Sequence, residues 1–287
     1  MKTSKRLIIY ILLIFIVIVG VYLLIDDNVA DHARRKLSEM NIKPNGNALL
    51  EYAGKDAKVV KLLLAARVDP NITTSQIDKT SPLITAAFEG NPESVSLLLK
   101  AGANVNYKTQ FGNSEDVTPL AAVTLGTSPR LCEDRDKWKE ELDARTKIVQ
   151  LLLRYGAESE TPNYFDAVPI TGASCGGMTM AVRALIEKGA DVNRTSLNGE
   201  TALFAATASG YLDTVKFLLS AGAEIDVQSK YGYTALMLAT SLGYEEIVSE
   251  LLNYKPNLEL KNLKGQDARK LAELKGHSKI LKILDEY

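Results

Sequence analysis

Histidine and cysteine are scarce in this chain of 287 residues: two of each, His32 and His277, Cys132 and Cys175, and one tryptophan, Trp138. So small a supply excludes a multi-ligand zinc cage and a disulfide-dense secreted scaffold. It also leaves histidine-dependent catalysis little to work with. No basic excess exists either, since 34 basic side chains stand against 35 acidic ones; a nucleic-acid partner, which demands a basic footprint, is not expected. The chain lacks a phosphate-binding glycine loop, an H-E-x-x-H, a G-x-S-x-G and a convincing acid pair. No enzymatic activity, cofactor, metal or small-molecule substrate is therefore expected. What is present is a 46% hydrophobic content, enough for a packed core.

Part of that content is concentrated in one run, LIIYILLIFIVIVGVYLLI, from Leu7 to Ile25. As a helix it would reach about 28 Å, close to the hydrocarbon thickness of a bilayer. It ends in Leu24, Ile25, Asp26 and Asp27 rather than at a small-residue cleavage site, so an uncleaved anchor is expected over a cleaved signal. Lys2, Lys5 and Arg6 precede the run and two aspartates follow it, which keeps residues 1–6 in the cytoplasm and the remainder outside, in the periplasm if the membrane is a bacterial inner membrane. Arg34, Arg35 and Lys36 weaken that asymmetry and leave a cytoplasmic-facing domain as the alternative. Within residues 26–43, Val29, Ala33, Leu37 and Met40 suit a short amphipathic juxtamembrane helix, which Lys43, Pro44, Asn45 and Gly46 then break.

From residue 44 onward the chain copies itself. SPLITAAFEGNPESVSLLLKAGANVN begins at Ser81, and related units begin at Val168, Thr201, Thr234 and Asp267, the last four 33 residues apart. Another starts TPLAAV at Thr118 and resumes as KIVQLLLRYGAE at Lys147, while a degenerate copy opens at Ala48. Ser81 and Thr201 can cap the first helix of each unit, and Pro82, Pro119 and Pro169 fall where a missing N–H costs nothing. Ala86 with Ala87, and Ala205 with Ala206, keep one face thin. Val95, Leu98 and Leu99, like Val215, Leu218 and Leu219, have core spacing on the second helix. Each unit thus exposes an apolar face that its neighbours must cover.

These features resemble the ankyrin repeat family: the period, the T-P-L or T-A-L start, the turn glycine and the L-L-x-x-G-A-x-x-N ending all match. The resemblance implies an all-α solenoid of helix-turn-helix units with β-hairpin loops over residues 44–287, preceded by the transmembrane helix at 7–25. Departures are clear. The family's histidine after T-P-L is replaced by Ile84, Ala121, Thr171, Phe204, Met237 and Lys270, which predicts lower stability than a consensus array. One unit has Lys255 and Pro256 where the C-cap glycine is expected. His277 stands where the family commonly has histidine after the turn glycine and is read as structural. Asn71 and Asn193 open glycosylation-like triplets but hold the family's loop asparagine position.

In function, the resemblance implies protein binding through a concave face of hairpin tips and first helices. Carried onto this chain, the family's variable offsets fall on Tyr164, Phe165 and Ala167, on Leu197, Asn198 and Glu200, and on Lys230, Tyr231 and Tyr233. Phe88, Glu89, Ser209, Ser241 and Leu242 end the first helices. The aromatic tips are either a contact hot spot or rings packed on one another along the hairpins. An insertion, residues 126–145, interrupts the unit at Thr118 and carries Trp138, an exposed anchor or a ring packed on the array. Cys132 and Cys175 fall at the same edge of the stack. In an oxidising compartment they are expected to form a disulfide, with two free thiols as the alternative. The expected function is that of a membrane-tethered module binding an extracytoplasmic protein. Resemblance to extracytoplasmic bacterial ankyrin proteins implies more specific roles: protecting a periplasmic enzyme such as a catalase, or blocking a toxic effector as an immunity protein. A structural organiser of envelope components is the alternative.

Overall fold

The computed structural model describes residues 26–74, 79–111, 114–124, 135–162 and 168–287. The expected membrane segment at 7–25 lies outside them, as do Cys132, Tyr164, Phe165 and Ala167. Among the described residues no helix is long and apolar enough to cross a membrane.

Helix α1 occupies residues 26–39. Helices then come in antiparallel pairs: α2 (Gly46–Tyr52) with α3 (Ala57–Ala65), α4 (Pro82–Phe88) with α5 (Pro92–Lys100), and α6 (Pro119–Thr124) with α7 (Arg135–Arg154). The later pairs are α8 (Pro169–Cys175) with α9 (Thr179–Glu187), α10 (Ala202–Ser209) with α11 (Leu212–Ser220), α12 (Ala235–Leu242) with α13 (Glu245–Leu252), and α14 (Ala268–Lys275) with α15 (Ser278–Glu286). First helices stack on first helices and second on second, as in α8, α10, α12 and α14. A two-stranded antiparallel hairpin, β1 (Thr109–Phe111) with β2 (Ser114–Val117), joins α5 to α6.

The caps expected from sequence form. Ser81 Oγ accepts from Ile84 N at 3.3 Å, Thr201 Oγ1 from Phe204 N at 3.2 Å and Thr234 Oγ1 from Met237 N at 3.2 Å. Val168 leaves α8 without a side-chain cap, and Pro169 there removes one N–H that would need a partner. The expected core residues Val95, Leu98 and Leu99, with Val215, Leu218 and Leu219, are buried in one continuous cluster running through the stack.

Helix α1 packs onto this core. Ala30, Ala33 and Leu37 are buried, whereas Val29 and Met40, expected on the apolar face, are exposed. The packed stripe thus runs i, i+3, i+7 from Ala30, and the small side chains at 30 and 33 let α1 approach the first pair closely. At the far end, charged side chains pair on the surface of the last unit: Arg269 with Asp285 at 3.1 Å and Lys270 with Glu273 at 2.9 Å. Lys275, Lys279 and Lys282 are exposed beside them, which makes this surface largely polar.

Loops between units are bridged by a ladder of amide and carboxylate side chains. Asn193 Oδ1 accepts from Glu224 N at 2.8 Å while its Nδ2 donates to Gly222 O at 3.4 Å. Asn71 does the same three units earlier, to Asn104 N at 2.7 Å and Gly102 O at 3.1 Å. Both triplet asparagines are therefore committed to joining neighbours. Asn193→Ala is expected to cost about 1 kcal/mol, the net worth of exposed hydrogen bonds of this kind, with Asn193→Asp recovering the acceptor half; urea denaturation measures both.

After α5, α7, α9 and α11 the chain turns through Gly102, Gly156, Gly189 and Gly222, all at φ near +90°. Lys255 follows α13 at φ 56°. The expected departure therefore leaves the turn's left-handed geometry in place and loads it onto a residue with a Cβ. Because Lys255 is exposed, Lys255→Gly removes strain and no packing. It is expected to raise stability by about 1 kcal/mol, read as a shift of the denaturation midpoint at constant slope.

Candidate functional site

Three successive loops after the second helices have one shape, because the same hydrogen bonds close each of them. Ser196 N donates to Glu200 O at 3.0 Å, Ser229 N to Tyr233 O at 2.9 Å and Asn262 N to Gln266 O at 2.9 Å. The side chain at the base of each loop accepts two further amides: Ser196 Oγ from Asn198 and Glu200, Ser229 Oγ from Tyr231 and Tyr233, Asn262 Oδ1 from Lys264 and Gln266. These turns mimic backbone pairing and fix the tips before any partner arrives.

The loops are also joined to one another. Lys230 N donates to Asn198 O at 2.7 Å, and Leu263 N to Tyr231 O at 3.0 Å. Gln228 Nε2 adds bonds to Gly232 O at 2.7 Å and Lys261 O at 3.0 Å. Contact between neighbouring loops is so close at Gly232 that a Cβ there would lie 2.8 Å from Asn262 Cα. The result is a continuous ledge along the last three loops.

Apolar side chains project from this ledge. Leu197 is 81% exposed, Tyr231 56% and Leu263 78%. Lys230 Nζ lies 5.1 Å from the centre of the Tyr231 ring and bonds Asn198 Oδ1, so charge and ring are held together. Burial pushes the Glu200 carboxyl above its ordinary range, and the Lys230 charge opposes that rise.

The residues expected from sequence divide on this geometry. Asn198, Glu200, Lys230 and Tyr231 meet on the ledge. Tyr233 is half-buried and packs against the core, so it supports the ledge from beneath. Leu242 is exposed but ends α12, about 12 Å along the helix from the loops. Tyr164 and Phe165 lie outside the described residues. Trp138 falls in the first turn of α7, with its side chain outside them. Leu263 is not among the expected residues although it stands at the Leu197 offset two periods later; repeat register alone identifies it.

At the opposite edge, the inserted segment ends in an unbroken helix. Residues 135–145 extend α7 beyond the point where other second helices start, and Arg145 is buried there. Its Nε donates to Glu141 Oε1 at 3.0 Å, Nη1 to Val123 O at 3.0 Å and Nη2 to Phe88 O at 3.1 Å. The expected Cys132–Cys175 bridge is not found at Cys175, whose thiol is free and exposed with Sγ 3.5 Å from Ser209 Oγ; Cys132 lies outside the described residues. No group of three or more metal-ligating side chains occurs among the described residues.

A family model described as ankyrin repeats (3 copies) matches residues 21–126, 142–229 and 221–287. Between the first two matches it leaves residues 127–141 unmatched, within the insertion. The crystal structure of the human ASB11 ankyrin repeat domain is similar, with a TM-score of 0.68 and 26% identity over 82% of this chain and 96% of that one. No curated protein matches the chain.

Proposed function

Because the chain belongs to the ankyrin repeat family, whose members are in general protein-interaction modules, we propose that it captures a protein partner on the ledge formed by its last three loops while tethered to a membrane through residues 7–25. The observation that carries the binding surface is the exposure of Leu197, Tyr231 and Leu263 on tips locked by backbone hydrogen bonds. A rigid apolar ridge beside fixed polar groups loses little entropy on docking, and its charged neighbours set register. The tether rests on the uncharged run from Leu7 to Ile25 and its flanks. Those flanks orient the repeats to the extracytoplasmic side, the periplasm in a bacterial cell.

The test is affinity capture with the full chain, solubilised from membranes, and mass spectrometry of what is retained. One abundant partner is expected, lost when the three tip residues are replaced. Equal retention by the substituted chain would refute the ledge. Alkaline phosphatase fused after Tyr287 tests orientation, with activity expected on the extracytoplasmic side.

A further inference from the structure

We infer that the array is mounted on the bilayer without a spacer, so that the first helical pair stands at the lipid headgroups. The inference rests on the reading of residues 7–25 as an anchor. The apolar run ends at Ile25, and the next two residues are already fixed to the repeats: Arg67 Nη2 lies 3.3 Å from Asp26 Oδ2 and 2.8 Å from Asp27 Oδ1. Ala30 is buried within the next turn, and Ala33 and Leu37 continue the contact. No spacer sequence therefore lies between the end of the run and the first residues held to the repeats.

Arg67 is also placed at a cost. It occupies the turn after α3, where four later second helices are followed by glycine, and it holds φ 66°. A non-glycine residue in that conformation is strained, and here the side chain spans from the first pair to the start of α1. Exposed ion pairs are individually weak. Burial of Ala30, Ala33 and Leu37 therefore holds α1, and Arg67 orients its first turn.

The experiment uses the full chain with Cys132→Ser, Cys175→Ser and Asn28→Cys, labelled at residue 28 and reconstituted into phosphatidylethanolamine/phosphatidylglycerol vesicles. A nitroxide at 28 is expected to be immobilised, and a fluorophore there to transfer strongly to a headgroup-attached acceptor. Inserting ten Gly/Ser residues between Ile25 and Asp26, a segment with a mean span of about 18 Å, is expected to reduce transfer at least twofold. Arg67→Gly, which relieves the strain and keeps the turn, is expected to increase nitroxide mobility at 28. Unchanged transfer after the insertion would overturn the inference, and unchanged mobility in Arg67→Gly would remove Arg67 from it. A chain that does not float with the vesicles would instead remove the anchor, and this inference with it.

Discussion

Replacing Arg145 with alanine is expected to cost about 3 kcal/mol and to separate unfolding of the array into two steps. The residue is 7% exposed and its side chain donates to three acceptors. Two of these are backbone carbonyls, Phe88 at the end of α4 and Val123 near the end of α6, where unpaired carbonyls and the helix dipole both favour a cation. Alanine leaves them without this donor in a place water reaches poorly, and orphaned buried polar groups cost about 1–3 kcal/mol each. In a stack stabilised by nearest neighbours, a weakened interface in the middle uncouples the two sides. Hydrogen exchange should then show α4 and α5 opening before α10 to α13, with a broadened urea transition. Arg145→His is expected to recover part of the loss, since His277 Nε2 lies 3.4 Å from Ser241 O at the equivalent place. Glu141→Gln should cost far less, because that carboxylate is partly solvated. A loss below about 0.5 kcal/mol in Arg145→Ala, the range of ordinary surface changes, would show the three bonds to be dispensable.

The role of Arg145 was readable in the residues, though hidden by the company it keeps. It precedes Gly156 by the same interval that separates Met178 from Gly189 and Tyr211 from Gly222. It is therefore the repeat's post-turn residue, although it ends a charged run that reads as inserted surface. Elsewhere that residue packs over the preceding unit's turn: a Cβ on Gly177 would lie 2.5 Å from the Tyr211 ring, and one on Gly210 3.2 Å from that of Tyr244. Caps, core positions and turn glycines were legible because each is dictated locally and repeats. The packed face of α1 was less so: with one small alanine at 30 beside a larger valine at 29, hydrophobicity favours the valine and close approach favours the alanine. Tyr231 and Tyr233 show the same limit. They share a loop and a residue type, and only the direction of the chain at Gly232 sends one ring outward and the other against the core.

The second large effect is expected at the ledge. Replacing Leu197, Tyr231 and Leu263 together with alanine should weaken capture of the partner at least 100-fold, while the array's own stability stays within about 0.5 kcal/mol, as for other exposed positions. A hundredfold corresponds to about 2.7 kcal/mol, which one buried aromatic anchor with two flanking leucines can supply. Tyr231 is the expected centre of that energy, because the Lys230 ammonium on its face stays paired with Asn198 and can be covered without being stranded. Tyr233→Ala provides the contrast. It removes a ring packed against the core, so it should lower stability and weaken binding only through disorder of the ledge, an effect that cooling or a stabilising Lys255→Gly background would reverse. Isothermal titration and urea denaturation on the same samples separate the cases. If the triple variant binds as the parent does, the partner contacts another face; if it unfolds instead, these side chains hold the loops together rather than reach beyond them.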